Sequence, residues 1–490
     1  MKKTYWKFAP LGLIVLLALV LRLYRIHYPL LDWHSFRQAD TASVTREYVE
    51  HGIDILRPTY QDHSNIASGS NNPEGYRMVE FPIINALTAA LLQLFSFLPL
   101  VPTSRFISIV LSLGALVSIY FLAEKISGKR VAVVSALTFA VLPYSIYYSR
   151  TILPETGMLF FSTFALLGFY YWLENTTAKW YLLSVLSLAI GLLLKPFVLF
   201  LGPVFLALAW NQQGKKIIKN PFFYVYPIIA VLPLIGWREW ITRFPEGIPV
   251  SDWLYNGNGI RFRPAWFRWL GYERLTKLLL GFVGLIFLPF SVLDRQKDVI
   301  IYISWWLGIL AYFSVIATGN VQHDYYQVLI IPILSLSVGK GAVLLRKYIE
   351  TFLNRYTKTS QFYTHWIGLV VVGALYLVML LLSWQQVKGY FNVNHWEYVT
   401  AGEAVDRLTP PDAKVIAPAM GDTAFLFQTK RTGWPIGHSI DEKIEQGATH
   451  YVTTADDDEA RELSEKYFII EKTDLYLLID LTREREEESS

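Results

Sequence analysis

The chain has 490 residues, of which 53% are apolar and 17% charged, with a net charge of +4 and no cysteine. Soluble proteins carry about 25% charged residues, and a chain without thiols has neither disulfides nor cysteine-ligated metals. The positive excess is small and clustered, which points to membrane topology and excludes a nucleic-acid footprint.

Lys2, Lys3 and Lys7 precede an apolar run to about Leu23, and Arg22 and Arg25 follow with no small-residue cleavage site. This predicts a retained first helix, not a signal peptide. A long polar loop, 25–102, comes next and holds His27, Asp32, His34, Arg37, Asp40, His63 and Glu80. Within it, Asp40 to Gly52 reads as a short amphipathic helix. Asp40 would cap its start, Ala42, Thr45 and Val49 form one stripe, Arg46, Glu47 and Glu50 the other, and Gly52 ends it. Eleven spans are predicted, at about 7–24, 103–124, 131–149, 155–174, 180–195, 196–211, 222–238, 275–294, 298–317, 325–344 and 365–385.

One further apolar stretch, 81–100, is decided by charge. If it crossed, the basic segments Lys125–Arg130, Lys215–Lys219 and Arg346–Lys358 would face outward. If it lies at the surface, all of them face the cytoplasm, with Arg295 and Lys297, as the positive-inside rule requires. The second solution makes 81–100 a re-entrant or interfacial helix. It also makes 180–211 a hairpin of two short helices that turns at Lys195-Pro196. The N-terminus is then cytoplasmic, and loops 25–102 and 238–274 and the tail lie outside. Loop 238–274 is rich in Arg and Trp, including Arg261 and Arg263.

The tail reads as helix over Glu403–Leu408 and as strand over Lys414–Ala417, Thr449–Thr453 and Leu475–Leu481, with Gly421, Gly433 and Gly447 between. That pattern predicts a small α/β domain over 389–490, after a transmembrane part over 1–388. Arg483 to Ser490 reads as a solvated charged end. The fold class is thus an α-helical polytopic membrane protein with outer-face juxtamembrane helices and a small soluble α/β domain.

Several polar groups need a reason to be where they are. Asp40 is either a simple helix cap or a site carboxylate. Glu80, before Phe81-Pro82, is either a helix-dipole partner or a site group. Arg150 and Glu155 flank one outer turn and would form an interfacial ion pair in the plain reading. Lys195 lies within an apolar run and needs an anionic partner unless it snorkels to the surface. His323, Tyr325 and Tyr326 open a span, where an aromatic belt is the plain alternative. The predicted topology puts Asp40, Glu80, Glu155, Lys195 and His323 on one face of the membrane. Carboxylates and cations at one depth suit a base beside a phosphate site.

These residues resemble the GT-C superfamily of membrane glycosyltransferases, in its protein O-mannosyltransferase and aminoarabinose-transferase branch (glycosyltransferase family 39 type). Gln38-Ala39-Asp40-Thr41 through Gly52 is similar to the helix that opens on an Asp-Glu pair in the family's first outer loop, with Thr41 where many members carry Glu. Glu80-Phe81-Pro82 resembles the polar residue before a re-entrant helix, and Arg105 the Arg at the start of the next span. Arg150 to Glu155 resembles a turn with a late Asp, Lys195 a phosphate-facing Lys, and Tyr326 a Tyr near a later outer turn. The resemblance implies a polyprenyl-phosphate-linked sugar donor, an acceptor hydroxyl on lipid, glycan or protein, and inversion at the anomeric carbon. Asp40 would be the base, with Glu80 and Glu155 as further catalytic carboxylates. Lys195, with Arg150, Arg261, Arg263, His323 and Tyr326, would bind the donor phosphate. A divalent metal ion at Asp40 and Glu80 is an open option. The implied location is a bacterial inner membrane, with the tail periplasmic or extracellular. Asp32 is the rival base. A lipid-saccharide transporter or flippase is the main alternative and would need charges at mid-depth in several spans; a scaffold or receptor would leave the first-loop carboxylates without a role.

Overall fold

A computed structural model describes residues 2–293, 296–357 and 360–485, with side chains described from Phe8 onward. Arg295, Lys358 and the charged end beyond Arg485 lie outside the described residues. The chain divides into two compact units. One holds Met1–Ile26, Phe106–Trp237 and Ser251–Gly389; the other holds His27–Arg105, Arg238–Val250 and Tyr390–Ser490.

The first unit is helical. Across the described residues, six helices are long and apolar enough to cross a membrane, or seven if the bent pair Pro264–Leu279 with Val283–Leu293 is one span. Shorter apolar helices include Phe8–Arg22, Ala178–Leu194 and Val299–Val315. Pro221–Ile241 has the surface of a lipid-facing helix: Phe222, Val225, Ile228, Ile229, Leu232 and Ile235 are exposed along its length. A stripe of that size facing water would be an aggregation site.

One break in these helices follows from proline. The segment expected as one span at 131–149 is two helices, Lys129–Val141 and Pro143–Tyr148. Pro143 has no N–H for the carbonyl of Phe139. The guanidinium of Arg22 donates to that carbonyl at 3.1 Å and to Ala140 O at 2.9 Å, so the buried cation fills the gap the proline leaves. A second buried polar pair joins Lys340 Nζ to Asp298 Oδ1 at 2.8 Å, and Ser127 donates to the other carboxylate oxygen.

The second unit contains a five-stranded sheet of order β2-β1-β3-β5-β4, with β1 (Lys414–Ile416), β2 (Thr432–Trp434), β3 (His450–Thr453), β4 (Tyr467–Lys472) and β5 (Leu477–Glu484). β1 pairs parallel with β2 and β3, and β5 pairs antiparallel with β3 and β4. Side chains alternate across it as period two demands. Val415, Val452 and Leu478 pack under helices Trp396–Leu408 and Thr423–Gln428. Ile416, Tyr451 and Ile479 pack on the opposite face with helix Asp458–Lys466. The strands expected at 414–417, 449–453 and 475–481 are present; β2 and β4 were not anticipated.

The first loop belongs to this same unit. Its helix runs Ser35–His51, five residues longer at the start than expected, and Asp40 lies inside it rather than at its cap. His34, in left-handed backbone (φ 57°), takes the cap position, and tertiary bonds from Gln38 to Asp32 Oδ1 (2.9 Å) and Trp33 O (3.0 Å) hold the added turn. The stretch 81–100, at whose last residue the next helix, Leu100–Ser127, begins, holds the helix Ile83–Leu94, of 12 residues. At ~1.5 Å per residue that is about 18 Å, short of a ~30 Å hydrocarbon core. The segment 61–63 extends the sheet at its β2 edge: His63 N donates to Gly433 O (2.8 Å) and Gly433 N to Gln61 O (2.9 Å). Gly433 must be glycine here, because at φ 151° a Cβ would lie 1.9 Å from Val415 O.

Candidate active site

The first-loop helix carries Asp40 into a buried polar cluster. Asp40 is 7% exposed. Its Oδ2 accepts from Arg77 at 2.8 Å and its Oδ1 accepts from Thr423 Oγ1 at 2.7 Å. Arg77 also lies over the Tyr60 ring, 5.0 Å from its centroid. One helical turn back, Arg37 binds Glu80 Oε1 at 2.5 Å, with both side chains mostly buried. Asn85 ties the start of Ile83–Leu94 to this helix by donating to Thr41 O (2.6 Å) and Thr45 Oγ1 (3.1 Å).

The rival carboxylate, Asp32, pairs with Arg105 at 3.3 Å while side-chain exposures are 1% and 0%. Gln38 donates to its other oxygen, so Asp32 joins Arg105 to the start of the first-loop helix within this unit.

Burial sets the protonation of the neighbouring groups. Asp62 is pushed up to about 6, chiefly by desolvation and partly by the charge of Asp40, against hydrogen bonds from Ser64 that favour its ionised form. His63, packed edge-on to Trp434, is pushed down to about 4 by burial and by Lys414. Asp422 is raised by burial, and again Asp40 adds to the effect.

In the helical unit, the chain leaves helix Ala178–Leu194 at Lys195, which has extended backbone (φ −151°) because Pro196 follows. Lys195 is buried, and its Nζ lies 3.1 Å from Glu155 Oε1 at the first turn of Glu155–Asn175. Neither Glu155 oxygen accepts a well-aligned hydrogen bond, so the contact is an ion pair without the directed bonds of a closed bridge. Phe197 and Tyr326 flank the ammonium, with ring centroids at 6.0 and 5.9 Å. His323 stacks on Tyr325 at 5.3 Å and meets Tyr326 edge-on.

Glu155 thus pairs with Lys195. The expected partner Arg150 is fully buried, donates to Tyr24 O at 2.6 Å and lies over Tyr147. Arg261 donates to Tyr255 O (3.2 Å) and to Val315 O (3.3 Å), at the end of helix Val299–Val315. Arg263 is exposed. So Glu155, Lys195, Tyr326 and His323 form one cluster of the helical unit, and Asp40 and Glu80 belong to the other unit with Arg37, Arg77 and Thr423.

A divalent ion at Asp40 and Glu80 does not fit these contacts. Each carboxylate already holds a guanidinium, and two arginines beside the pair would repel the metal. Among the described residues, the His and acidic side chains close enough to share an ion are Glu47, Glu50 and His51, where His51 and Glu47 make an i,i+4 contact of 3.1 Å.

Residues 80–240 match the family model described as dolichyl-phosphate-mannose-protein mannosyltransferase. The chain aligns over 96% of its length with the crystal structure of ArnT from Cupriavidus metallidurans bound to undecaprenyl phosphate, covering 98% of that chain at a TM-score of 0.64 and 12% identity. The apo state of the same protein gives 0.66. The chain has the GT-C fold. The archaeal oligosaccharyltransferase AglB from Archaeoglobus fulgidus, in complex with an inhibitory peptide and a dolichol-phosphate, shares it at 0.58 and 11% identity, over 98% of this chain and 74% of that one. At 11–12% identity the likeness is one of fold, a helical architecture in which several helices are long and apolar enough to cross a membrane. An uncharacterized protein of Aquifex aeolicus (strain VF5) is 25% identical over 262 residues, which is 51% of this chain and 56% of that relative, so the chain spans about half the length of the curated relative it matches.

Sequence reasoning missed Arg37, Arg77 and Thr423 as partners of the carboxylates. Arg77 had a weak signal, an arginine three residues before Glu80 in a polar loop. Thr423 had none, because it lies 383 positions from Asp40.

Proposed function

We propose that this chain is an inverting glycosyltransferase that moves a sugar from a polyprenyl-phosphate donor to an acceptor hydroxyl on lipid, glycan or protein, at the outer face of a bacterial inner membrane. The observation that carries the reading is Asp40: a buried, doubly held carboxylate in the first loop of a GT-C fold. A carboxylate accepts up to about four hydrogen bonds, and two sites are filled. An acceptor hydroxyl takes a third, and Asp40 removes its proton as that oxygen bonds to the anomeric carbon. The bond from the anomeric carbon to the phosphate oxygen breaks on the opposite side, which inverts the centre.

The leaving phosphate carries the developing negative charge. Lys195 neutralises it, and until an anion arrives Glu155 keeps the ammonium paired in its apolar setting. Tyr326 and His323 wall that site, and Arg150 holds the preceding turn. An apolar cavity of about 320 Å³, lined by Leu188, Leu192, Val198, Leu199, Phe205 and Tyr226, lies along the same helices and suits a prenyl chain. The mechanism draws on the side chains alone, with Glu80 holding Arg37 beside the base. The neighbours' bound undecaprenyl phosphate and dolichol-phosphate support the donor class.

The test is transfer by purified protein in nanodiscs, with polyprenyl-phosphate sugars as donors and mass spectrometry to identify the glycolipid that co-purifies. Asp40→Asn is expected to lower turnover at least a hundredfold while donor binding persists. Wild-type turnover in Asp40→Asn sinks the base assignment.

A further inference from the structure

We infer that Thr423, from the soluble tail, is a positioning residue for the Asp40 carboxylate, so the site in the first loop is complete only when the tail is docked. The inference rests on the reading of Asp40 as the base. Thr423 Oγ1 lies 2.7 Å from Asp40 Oδ1 and 3.2 Å from Phe36 O. A threonine hydroxyl has one proton, and the charged, nearer acceptor takes it. With Arg77 on Oδ2, donors bind both oxygens and fix the plane of the carboxylate. One donor alone would leave the group free to turn about its Cβ–Cγ bond, which is a soft torsion.

The tail is held where this contact needs it. Gln61 Nε2 donates to Thr423 O at 2.9 Å, and the 61–63 segment is paired with Gly433 in the sheet. Arg46 lies over the Phe427 ring at 4.0 Å and donates to Phe427 O at 3.0 Å. Asp422 caps helix Thr423–Gln428 by accepting from Ala424 N at 2.7 Å, which sets the orientation of residue 423. The contacts to the tail come from Arg46 on the Asp40 helix and from a loop that precedes Arg77. They are more than a single threonine needs for packing.

The decisive experiment compares Thr423→Val, Thr423→Ala and Thr423→Ser in the full-length protein, reading kcat, both KM values and thermal unfolding. A positioning role predicts that Val and Ala lower kcat about tenfold or more with donor and acceptor KM unchanged, and that Ser, which keeps the hydroxyl, restores it. Thermal unfolding of the Ala and Ser variants should match. Wild-type kcat in both Val and Ala, with Asp40→Asn inactive, overturns the inference and leaves the functional reading intact. A Ser variant as slow as Val also overturns it, since the methyl and not the hydroxyl would then matter. An active Asp40→Asn overturns both readings.

Discussion

At Asp40 the geometry separates two roles that the bare motif could not. A helix cap is exposed and bonds to its own helix, whereas this carboxylate is buried and bonds to Arg77 and Thr423. Lys195 shows the same contrast: it was legible as a cation in an apolar run, but its partner Glu155 could be assigned only from the fold. Lys195→Ala should raise the donor KM tenfold or more, since a charge-assisted contact to phosphate is worth about 1.5–3 kcal/mol. An unchanged donor KM in steady-state kinetics would return Lys195 to a structural role. His63 gives a pH test. Its folded pKa of about 4 lies below the usual 6.5, so the unfolded chain binds the extra proton. The stability His63 contributes is therefore present above pH 6.5 and lost as pH falls toward 4, by roughly 3 kcal/mol at about 1.4 kcal/mol per unit. The melting temperature of His63→Phe, which keeps a ring against Trp434, should fall less than that of wild type over this window.

Helices and strands were legible wherever a local rule decided them. Pro196 predicts the break at Lys195, and Gly52, at φ 96°, ends the first-loop helix as expected. The extra turn before Asp40 was not legible, because His34 in left-handed backbone looks like a poor cap until Gln38 is seen bonding Asp32. β2 is three residues long and β4 is irregular in register, so neither carries a clean alternation. The bent pair after Pro264 turns by 104°, and the turn needs Gly281. There φ is 46°, and a Cβ would sit 2.2 Å from Met379 O. Gly281→Ala should cost about 1–3 kcal/mol, read as a lower melting temperature in detergent. An unchanged value would mean the bend has slack.

For the whole molecule, charge counting removes 81–100 from the spans, and the 12-residue helix found there agrees with that. The orientation that follows is testable: a reporter fused after Arg130 should report the cytoplasm, and an outer-face signal would reverse the assignment of every loop. The division at 388/389 follows chain position and sets the tail apart from the transmembrane part. In the structure the tail shares one unit with the first loop and with 238–250. Hydropathy, the clustering of Lys and Arg, and the proline after Lys195 are local properties, so the sequence by itself determined a helical multi-pass membrane protein, the turn at Lys195-Pro196, and which polar residues are out of place. Which carboxylate meets which cation depends on contacts between segments tens to hundreds of residues apart. Only the tertiary structure could therefore pair Glu155 with Lys195, Arg77 with Asp40, and the hydroxyl of Thr423 with the same carboxylate.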